Sequence, residues 1–216
     1  HYPGHGAAAY FYPLRFFFCE NVQSSLPLVA LQYHDVEIRI NWAANFPPSA
    51  RVECHANFIL LDTMERQSVA NSKAQILITQ VQKASGDNNK IQELNFNHPI
   101  KLLASSNISD HALTSANSKV KLQINGVDVS DFKRARPNYT TVSTYYHSPY
   151  SVGNTSDFFL YPFCLDTCKL QPTGTLNFSR LDSARLISDN EPITEPVYAI
   201  NYNVLMVENG IGGLMY

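Results

Sequence analysis

The sequence has little charge, because only 16% of its 216 residues are Asp, Glu, Lys or Arg, against about a quarter in average globular chains. Its net charge is -2, so it lacks the basic surface that nucleic-acid binding requires. The short basic run at residues 133–136 is too small to supply one. We therefore expect no direct contact with nucleic acid, and a surface covered largely by neighbouring protein.

Long apolar runs are also missing. The best candidate, residues 11–18, is interrupted by Arg15, and no run approaches the ~18 residues of a membrane helix. The opening stretch HYPGHGAAAY has neither the basic start nor the apolar centre of a signal peptide. We expect no membrane insertion, and the first residue, His1, favours a fragment of a longer protein.

Cysteine is scarce, since four residues are too few for a disulfide scaffold at this length. On one extended strand Cys164 and Cys168 would lie roughly 13 Å apart, too far to bridge, and only a turn between them would permit a disulfide. Free thiols in a reducing compartment are the expectation.

Catalytic signatures are absent from the sequence. It contains no GxSxG, no phosphate-binding loop and no dinucleotide fingerprint. His34 and Glu37 fall on opposite faces of a strand unless a bulge at His34-Asp35 intervenes, and His98 precedes a proline, so we expect no metal-ligand set. A glycosidase-like carboxylate pair drawn from Asp62, Glu65, Asp166 and Asp182 stays open, although caps and turns explain them. We expect no enzyme, no metal and no cofactor.

Alternation of apolar and polar residues, with twelve Tyr and twelve Phe, predicts strands. Asp62 and Glu65 form the outline of a capping box, and Asn125-Gly126 is a strong hairpin signal. A phase slip at His34-Asp35 predicts a bulge. The predicted strands are 29–42, 51–62, 74–82, 92–97, 99–104, 120–129, 158–165, 184–187 and 197–207. With long loops and almost no helix, this indicates an all-β sandwich of the jelly-roll type.

The stretch QPTGTLNFSR, residues 171–180, predicts a tight corner between strands. Pro172 fixes φ, Gly174 can take a positive φ, and Asn177 favours a turn. Leu176 and Phe178 can anchor the corner in the core. Arg180 has the right chemistry to pair with Asp182.

Three N-x-S/T sequons are glycosylation candidates if the chain meets the machinery: Asn107, Asn138 and Asn154. A fourth sequon, at Asn177, lies in the corner and is interpreted as structural.

Several long segments resemble the major capsid proteins of nucleocytoplasmic large DNA viruses, of the chlorella-virus and iridovirus type. These segments are FYPLRFFFC, SSLPLVALQYHDVEI, NFILLDTMER, LNFNHPIKLLA, KVKLQINGVDV and QPTGTLNFSRLDSARL with the C-terminal VYAINYNVLMVENGIGGLMY. They cover most of the chain from Phe11 to Tyr216. Gln23-Ser24-Ser25 departs from the family's Gly-Leu-Ala, and residues 110–118 and 130–155 do not match.

The resemblance implies a structural protein of an icosahedral shell. It implies a double jelly roll, in which residues 1–27 are the last strand of a first barrel and the junction, and residues 28–216 are the second barrel. Tyr12 to Cys19 would then pair with residues that this chain lacks. The implied assembly is a homotrimer forming a pseudo-hexagonal capsomer, with neighbouring capsomers and minor capsid proteins as partners, built in the host cytoplasm.

A carbohydrate-binding sandwich is the alternative function. Tyr145, Tyr146 and Tyr150 would stack on sugars in such a lectin-like protein.

Overall fold

The computed structural model describes residues 11–42, 44, 46, 51–106, 112–148, 158–169 and 171–216. The chain divides into two compact units. Unit 1 comprises the chain up to Leu77 together with Val204–Met215, and unit 2 comprises Ile78–Asn203 with Tyr216.

Eleven strands form two antiparallel sheets in the described part of the chain. One sheet has the order β1-β10-β3-β7, with β11 on β10 and β8 on β3; the other has the order β2-β9-β4-β5, with β6 on β4. The strands are β1 (Ala74–Ala84), β2 (Ile91–Glu93), β3 (Pro99–Ser106), β4 (Lys119–Ile124), β5 (Val127–Asp128), β6 (Lys133–Arg134), β7 (Phe158–Pro162), β8 (Leu176–Asn177), β9 (Ala184–Ser188), β10 (Val197–Glu208) and β11 (Ile211–Leu214).

The core lies in unit 2, where the two sheets pack as a jelly-roll sandwich. Along β9 every second residue is buried, and on β4 Val120 and Leu122 are fully buried. These alternate residues meet Ile100 and Leu103 of β3 and Phe159 of β7 in one apolar cluster. The predicted all-β sandwich is therefore confirmed.

Two short-range sequence signals produce the predicted local structure. Asn125 and Gly126 have φ of +49° and +78° and join β4 to β5 in a tight hairpin. Helix α1 (Thr63–Asn71) begins at a complete capping box. The Glu65 N–H donates to Asp62 Oδ1 at 2.8 Å, and the Asp62 N–H donates to Glu65 Oε2 at 3.1 Å.

Two predicted strands, 29–42 and 51–62, are wrong, and the strand expected at residues 12–19, with partners outside this chain, stays a prediction. Residues 12–19, 29–42 and 51–62 contain no strand in their described parts, and short 3-10 turns occupy Phe17–Cys19, Val22–Ser24 and Leu28–Ala30. A strand needs a ladder of hydrogen bonds to a neighbouring strand, and the described residues show no ladder for these segments. The bond from the Tyr33 N–H to the Gly210 carbonyl does not extend into one. Without a ladder, the expected bulge at His34-Asp35 does not exist either.

In unit 1, residues two apart in these segments nevertheless lie on the same side of the chain. Arg39 contacts Glu37 at 2.7 Å, and Arg51 contacts Glu53 at 2.7 Å. Residues two apart meet on one side of the chain only when the backbone is extended. The side chains of these segments therefore alternate as in a strand, although the backbone is not hydrogen-bonded to a neighbouring strand.

A helical stretch replaces the loop expected between residues 130 and 155. It consists of α2 (Ala135–Pro137), a π turn (Asn138–Val142) and α3 (Ser143–His147). Tyr139 anchors this stretch by packing on Phe159 and Tyr161, with ring centroids 5.6 and 5.5 Å apart. Tertiary packing outweighs the low helix propensity of its β-branched and aromatic residues. The predicted strand 92–97 is also shorter, because only Ile91–Glu93 pairs with β9.

Candidate functional site

Gly174 lies at the centre of the predicted corner, residues 171–180. Its φ is +148°, in agreement with the positive φ expected there. A Cβ at this position would lie 2.7 Å from the Phe163 carbonyl oxygen and 3.2 Å from Cys164 Cα. Both the backbone conformation and the close approach of the 163–164 backbone therefore require glycine. Pro172 lies before it and is exposed.

Asn177 and Phe178 attach the corner to the sandwich. The backbone of Leu176–Asn177 pairs with Pro99 and Ile100 at the start of β3. Asn177 Oδ1 accepts the Ser179 N–H at 3.0 Å, so the side chain caps the 3-10 turn Phe178–Arg180. Phe178 is buried and lies edge-on to Phe96 and Phe163. The expected anchoring of the corner by Phe178 is thus realised, and Leu176 packs against the same core.

Asn125 joins the β4–β5 hairpin by hydrogen bonds to the residues that follow the corner, a role that sequence reasoning missed. Its Oδ1 accepts the Asp182 and Ser183 N–H groups at 2.9 and 3.1 Å, and its own N–H donates to the Ser183 carbonyl at 2.8 Å. The Asn-Gly signal points to the turn but not to this second use of the side chain. Among the ion pairs of the described residues, Arg180 and Asp182 do not pair.

The 163–168 turn holds the corner on its other side. The Asp166 N–H donates to Thr173 Oγ1 at 3.0 Å, and that hydroxyl donates to the Asp166 carbonyl at 3.1 Å. Asp166 Oδ1 accepts the Cys168 N–H at 2.8 Å. Cys164 is buried in this turn, and burial raises the pKa of its thiol. The thiol is therefore held in its unreactive, protonated form.

The same turn orients helix α3. His147 Nδ1 lies 2.9 Å from the Cys164 carbonyl oxygen, and the Thr167 N–H and hydroxyl both donate to the His147 carbonyl, at 2.7 and 2.8 Å. These contacts fix the turn and the helix to each other.

Helix α3 carries two exposed tyrosines. Tyr145 and Tyr146 are 75% and 69% exposed, and their rings contact each other edge to face at 5.1 Å. Val142 on the same stretch and Leu165 on the turn are also exposed. We call Tyr145 and Tyr146 the tyrosine patch. Tyr150 lies outside the described residues.

The β4–β5 hairpin and the residues after it also carry exposed apolar side chains, Val127, Val129 and Phe132. Val127 lies on the face of the hairpin opposite to Asp128. Lys121 links strand β4 to the residues after it. Its Nζ contacts Asp128 at 2.6 Å and lies 4.5 Å from the centre of the Phe132 ring. Hydrogen bonds from Lys121 and Gln123 hold the pKa of Asp128 below its usual value. The hairpin is therefore another ordered, partly apolar surface.

Of the glycosylation candidates, the structure describes Asn138 alone. Its Nδ2 donates to the Arg134 carbonyl at 2.9 Å, and Thr140 of the same sequon is fully buried. Asn107 and Asn154 lie outside the described residues. Glycosylation at all three positions stays a prediction.

The carboxylates considered for catalysis have local structural roles. Asp62 and Glu65 form the helix cap, and Asp166 accepts the Cys168 amide. Within the described ranges, no three His, Cys, Asp or Glu side chains are grouped so as to hold a metal ion. The described helices include none long and apolar enough to cross a membrane.

Comparison with known proteins matches two family models. The model of the large eukaryotic DNA virus major capsid protein matches residues 65–213, and the model of the major capsid protein N-terminus matches residues 4–81. A major capsid protein of Pyramimonas orientalis virus is 33% identical, over 95% of this chain and 61% of its own length. That of Paramecium bursaria Chlorella virus 1 is 28% identical, over 98% of this chain and 67% of its own length.

The fold agrees with these sequence matches. A quasi-atomic model of the PBCV-1 virus capsid is similar to this chain with a TM-score of 0.70 and 25% identity, over 95% of this chain and 70% of that one. This chain spans about three fifths of the length of the Pyramimonas virus relative. The relatives are capsid proteins, so the alternative assignment to lectins is wrong.

The sandwich and the corner thus occur in a chain whose matched family models and relatives are capsid proteins. One family model covers well over half of it, and relatives match nearly its whole length. The chain belongs to the family of large eukaryotic DNA virus major capsid proteins.

Proposed function

We propose that this chain is a structural subunit of an icosahedral virus shell and assembles with copies of itself into trimeric, pseudo-hexagonal capsomers. Its membership of the capsid protein family carries the proposal. Catalysis has no part in it, and the proposed partners are further copies, neighbouring capsomers and minor capsid proteins. The proposed place of assembly is the host cytoplasm, and the final location is the capsid of the virion.

The surface chemistry supports a protein that is mostly interface. A chain with 16% charged residues covers less of its surface with solvated groups than an average globular protein does. Large aromatic side chains are enriched at protein interfaces, where they act as anchors at low conformational cost. The ordered tyrosine patch fits this description, and we assign it to contact with a neighbouring copy.

The domain division calls for a revised proposal. The division into residues 1–27 and 28–216 stays a prediction, but two observations favour a later boundary. The N-terminus family model ends at residue 81 and the second begins at residue 65, and the compact units divide at Leu77 and Ile78. We propose that the boundary between the two domains lies near residue 77, within β1.

The N-terminal part is incomplete in this proposal. The match to the chlorella virus relative extends over 294 positions, whereas this chain has 216 residues, so about 80 positions have no residue from this chain. We propose that these positions fall in the first domain, where strands formed by them would be the neighbours of residues 36–42 and 51–62. Chain length rather than sequence pattern would then explain why these segments form no sheet.

Light scattering on the full-length protein tests the assembly. Three copies at micromolar concentration are expected, and a stable monomer would contradict the proposed trimer. The double variant Tyr145→Ser/Tyr146→Ser should dissociate the trimer, whereas Tyr12→Ser, an exposed tyrosine in unit 1, should leave it intact. A trimer that survives the double variant would remove the tyrosine patch from the interface and leave the trimer proposal standing.

A further inference from the structure

The core-facing side of β10 changes from apolar to polar along the strand. Val197 and Ala199 belong to the apolar core. Asn201 and Asn203 follow on the same face and are 0% and 2% exposed. Two asparagine side chains are thus removed from water inside the sandwich of unit 2.

Strand β1, the neighbour of β10 in its sheet, presents two glutamines at the same depth. Ile78 is buried and Ala84 packs against the core. Gln80 and Gln82 lie between them on the same face of the strand. Each strand therefore carries two amides on the side where the sheet meets the core.

The four amides are joined by hydrogen bonds. Gln82 Nε2 donates to Asn201 Oδ1 at 3.0 Å. Gln80 Oε1 accepts from Asn203 Nδ2 at 3.0 Å and from Asn201 Nδ2 at 3.4 Å. Asn203 Nδ2 also donates to the Tyr216 carbonyl at 2.9 Å. Because buried amides must be bonded to offset their lost hydration, these contacts are what allow polar residues at these positions.

Gln82 also bonds to the backbone of Asn97 as a neighbouring strand would. Its Nε2 donates to the Asn97 carbonyl at 2.7 Å, and its Oε1 accepts the Asn97 N–H at 3.0 Å. Asn97 lies between β2 and β3, which belong to different sheets. The amide cluster therefore also fixes the segment that crosses from one sheet to the other.

The apolar pattern of β1 does not by itself select one pairing with β10. A slip of one residue would turn the buried face outward, but a slip of two residues would keep the same face inward. After a slip of two, Ile78 or Ala84 would take the place of one glutamine opposite the buried asparagines. Buried amides would then lose their partners, which is more costly than exchanging one apolar contact for another.

We propose that Gln80, Gln82, Asn201 and Asn203 form a register lock, which selects one pairing of β1 with β10 from the pairings that the apolar pattern allows. The lock acts within unit 2, and it does not depend on the proposed trimer.

Hydrogen exchange measured by mass spectrometry on the full-length protein tests the lock. Gln82→Leu and Asn201→Leu should each lower the protection of peptides covering residues 78–84 and 197–203 about tenfold, because each leaves a buried amide without its partner. The double variant should lose less than the product of the two single losses, because it removes both partners. Single losses that simply multiply in the double variant would overturn the lock.

The matched control is Gln75→Leu. Gln75 is an exposed glutamine on the opposite face of β1, so its replacement should leave the protection of both peptides unchanged. A loss in Gln75→Leu equal to that in Gln82→Leu would also overturn the lock, since any glutamine of the strand would then have the same effect.

A structure of the fourfold variant tests the selection of register directly. With Gln80, Gln82, Asn201 and Asn203 all replaced by leucine, pairings two residues apart bury similar apolar side chains. We expect β1 in a shifted pairing or in a mixture of pairings. The unaltered pairing alone would show that the amides do not select the register.

Discussion

Two segments with the same alternation of apolar and polar residues differ in structure: one is exposed and forms no strand, and the other is a buried strand. Val36, Ile38 and Ile40 in unit 1 alternate with polar residues and are 44–48% exposed. Val120 and Leu122 of β4 in unit 2 alternate in the same way and are fully buried. The difference lies in the neighbours, because β4 is bonded to β5, β6 and β9 and faces a second sheet, whereas the described residues offer no neighbour to 36–42. Alternation is thus a condition for a strand but does not create one.

The largest expected effect comes from truncating one isoleucine in each region. Ile100→Ala, at a fully buried position of β3, should lower the free energy of unfolding by about 3 kcal/mol through lost burial and a cavity. Ile40→Ala, at an exposed position, should change it by less than about 0.5 kcal/mol. Urea unfolding measures both. Similar losses at the two sites would show that residues 36–42 are packed in solution.

A smaller effect is expected at the corner. Gly174→Val should cost more than about 1 kcal/mol, because a β-branched residue is strained at a positive φ and its Cβ would collide with the Phe163 carbonyl. Gly213→Val in unit 1, where a Cβ would meet nothing within 4 Å, is the control. Thermal unfolding compares them. An unchanged melting temperature in Gly174→Val would mean that the corner does not need its glycine.

The double role of Asn125 can be separated by two substitutions. Asn125→Gly keeps the positive φ and removes the acceptor for Asp182 and Ser183, which should cost about 1 kcal/mol. Asn125→Ala also strains the turn, which should add roughly 1 kcal/mol. Urea unfolding resolves the two steps. Equal stability of the two variants would mean that the positive φ at position 125 does not affect the free energy of unfolding.

The smallest effect concerns alkaline pH. Burial, with a contribution from Tyr139, raises the pKa of Tyr161 to about 12, whereas an unfolded tyrosine titrates near pH 10. Above about pH 10 the unfolded chain loses this proton first, so stability falls as the pH rises towards 12. Tyr161→Phe should make that fall shallower in urea unfolding between pH 9 and pH 11.5.

The control for this titration is Tyr145→Phe, which alters an exposed ring in the tyrosine patch. It should leave the slope of stability against pH unchanged. If Tyr161→Phe and Tyr145→Phe gave the same slope, the buried environment of Tyr161 would not survive in alkaline solution.

Sequence reasoning succeeded where a few adjacent residues decide the outcome. The capping box at Asp62 and Glu65, the Asn125-Gly126 hairpin and the positive φ at Gly174 each follow from local chemistry. It failed where distant residues decide. The helical stretch 135–147 depends on the packing of Tyr139 against β7, and the Asn125 side chain bonds residues more than fifty positions away.

The sequence by itself determined the β class of this protein, the sites of its tight turns and, through long specific segments, its family. Only the tertiary structure decided which alternating segments became strands. The physical reason is that backbone N–H and C=O groups in a strand are satisfied by another strand, whose presence no local pattern reveals. Residues 119–124 found such partners, and residues 36–42 show the same faces with none among the described residues.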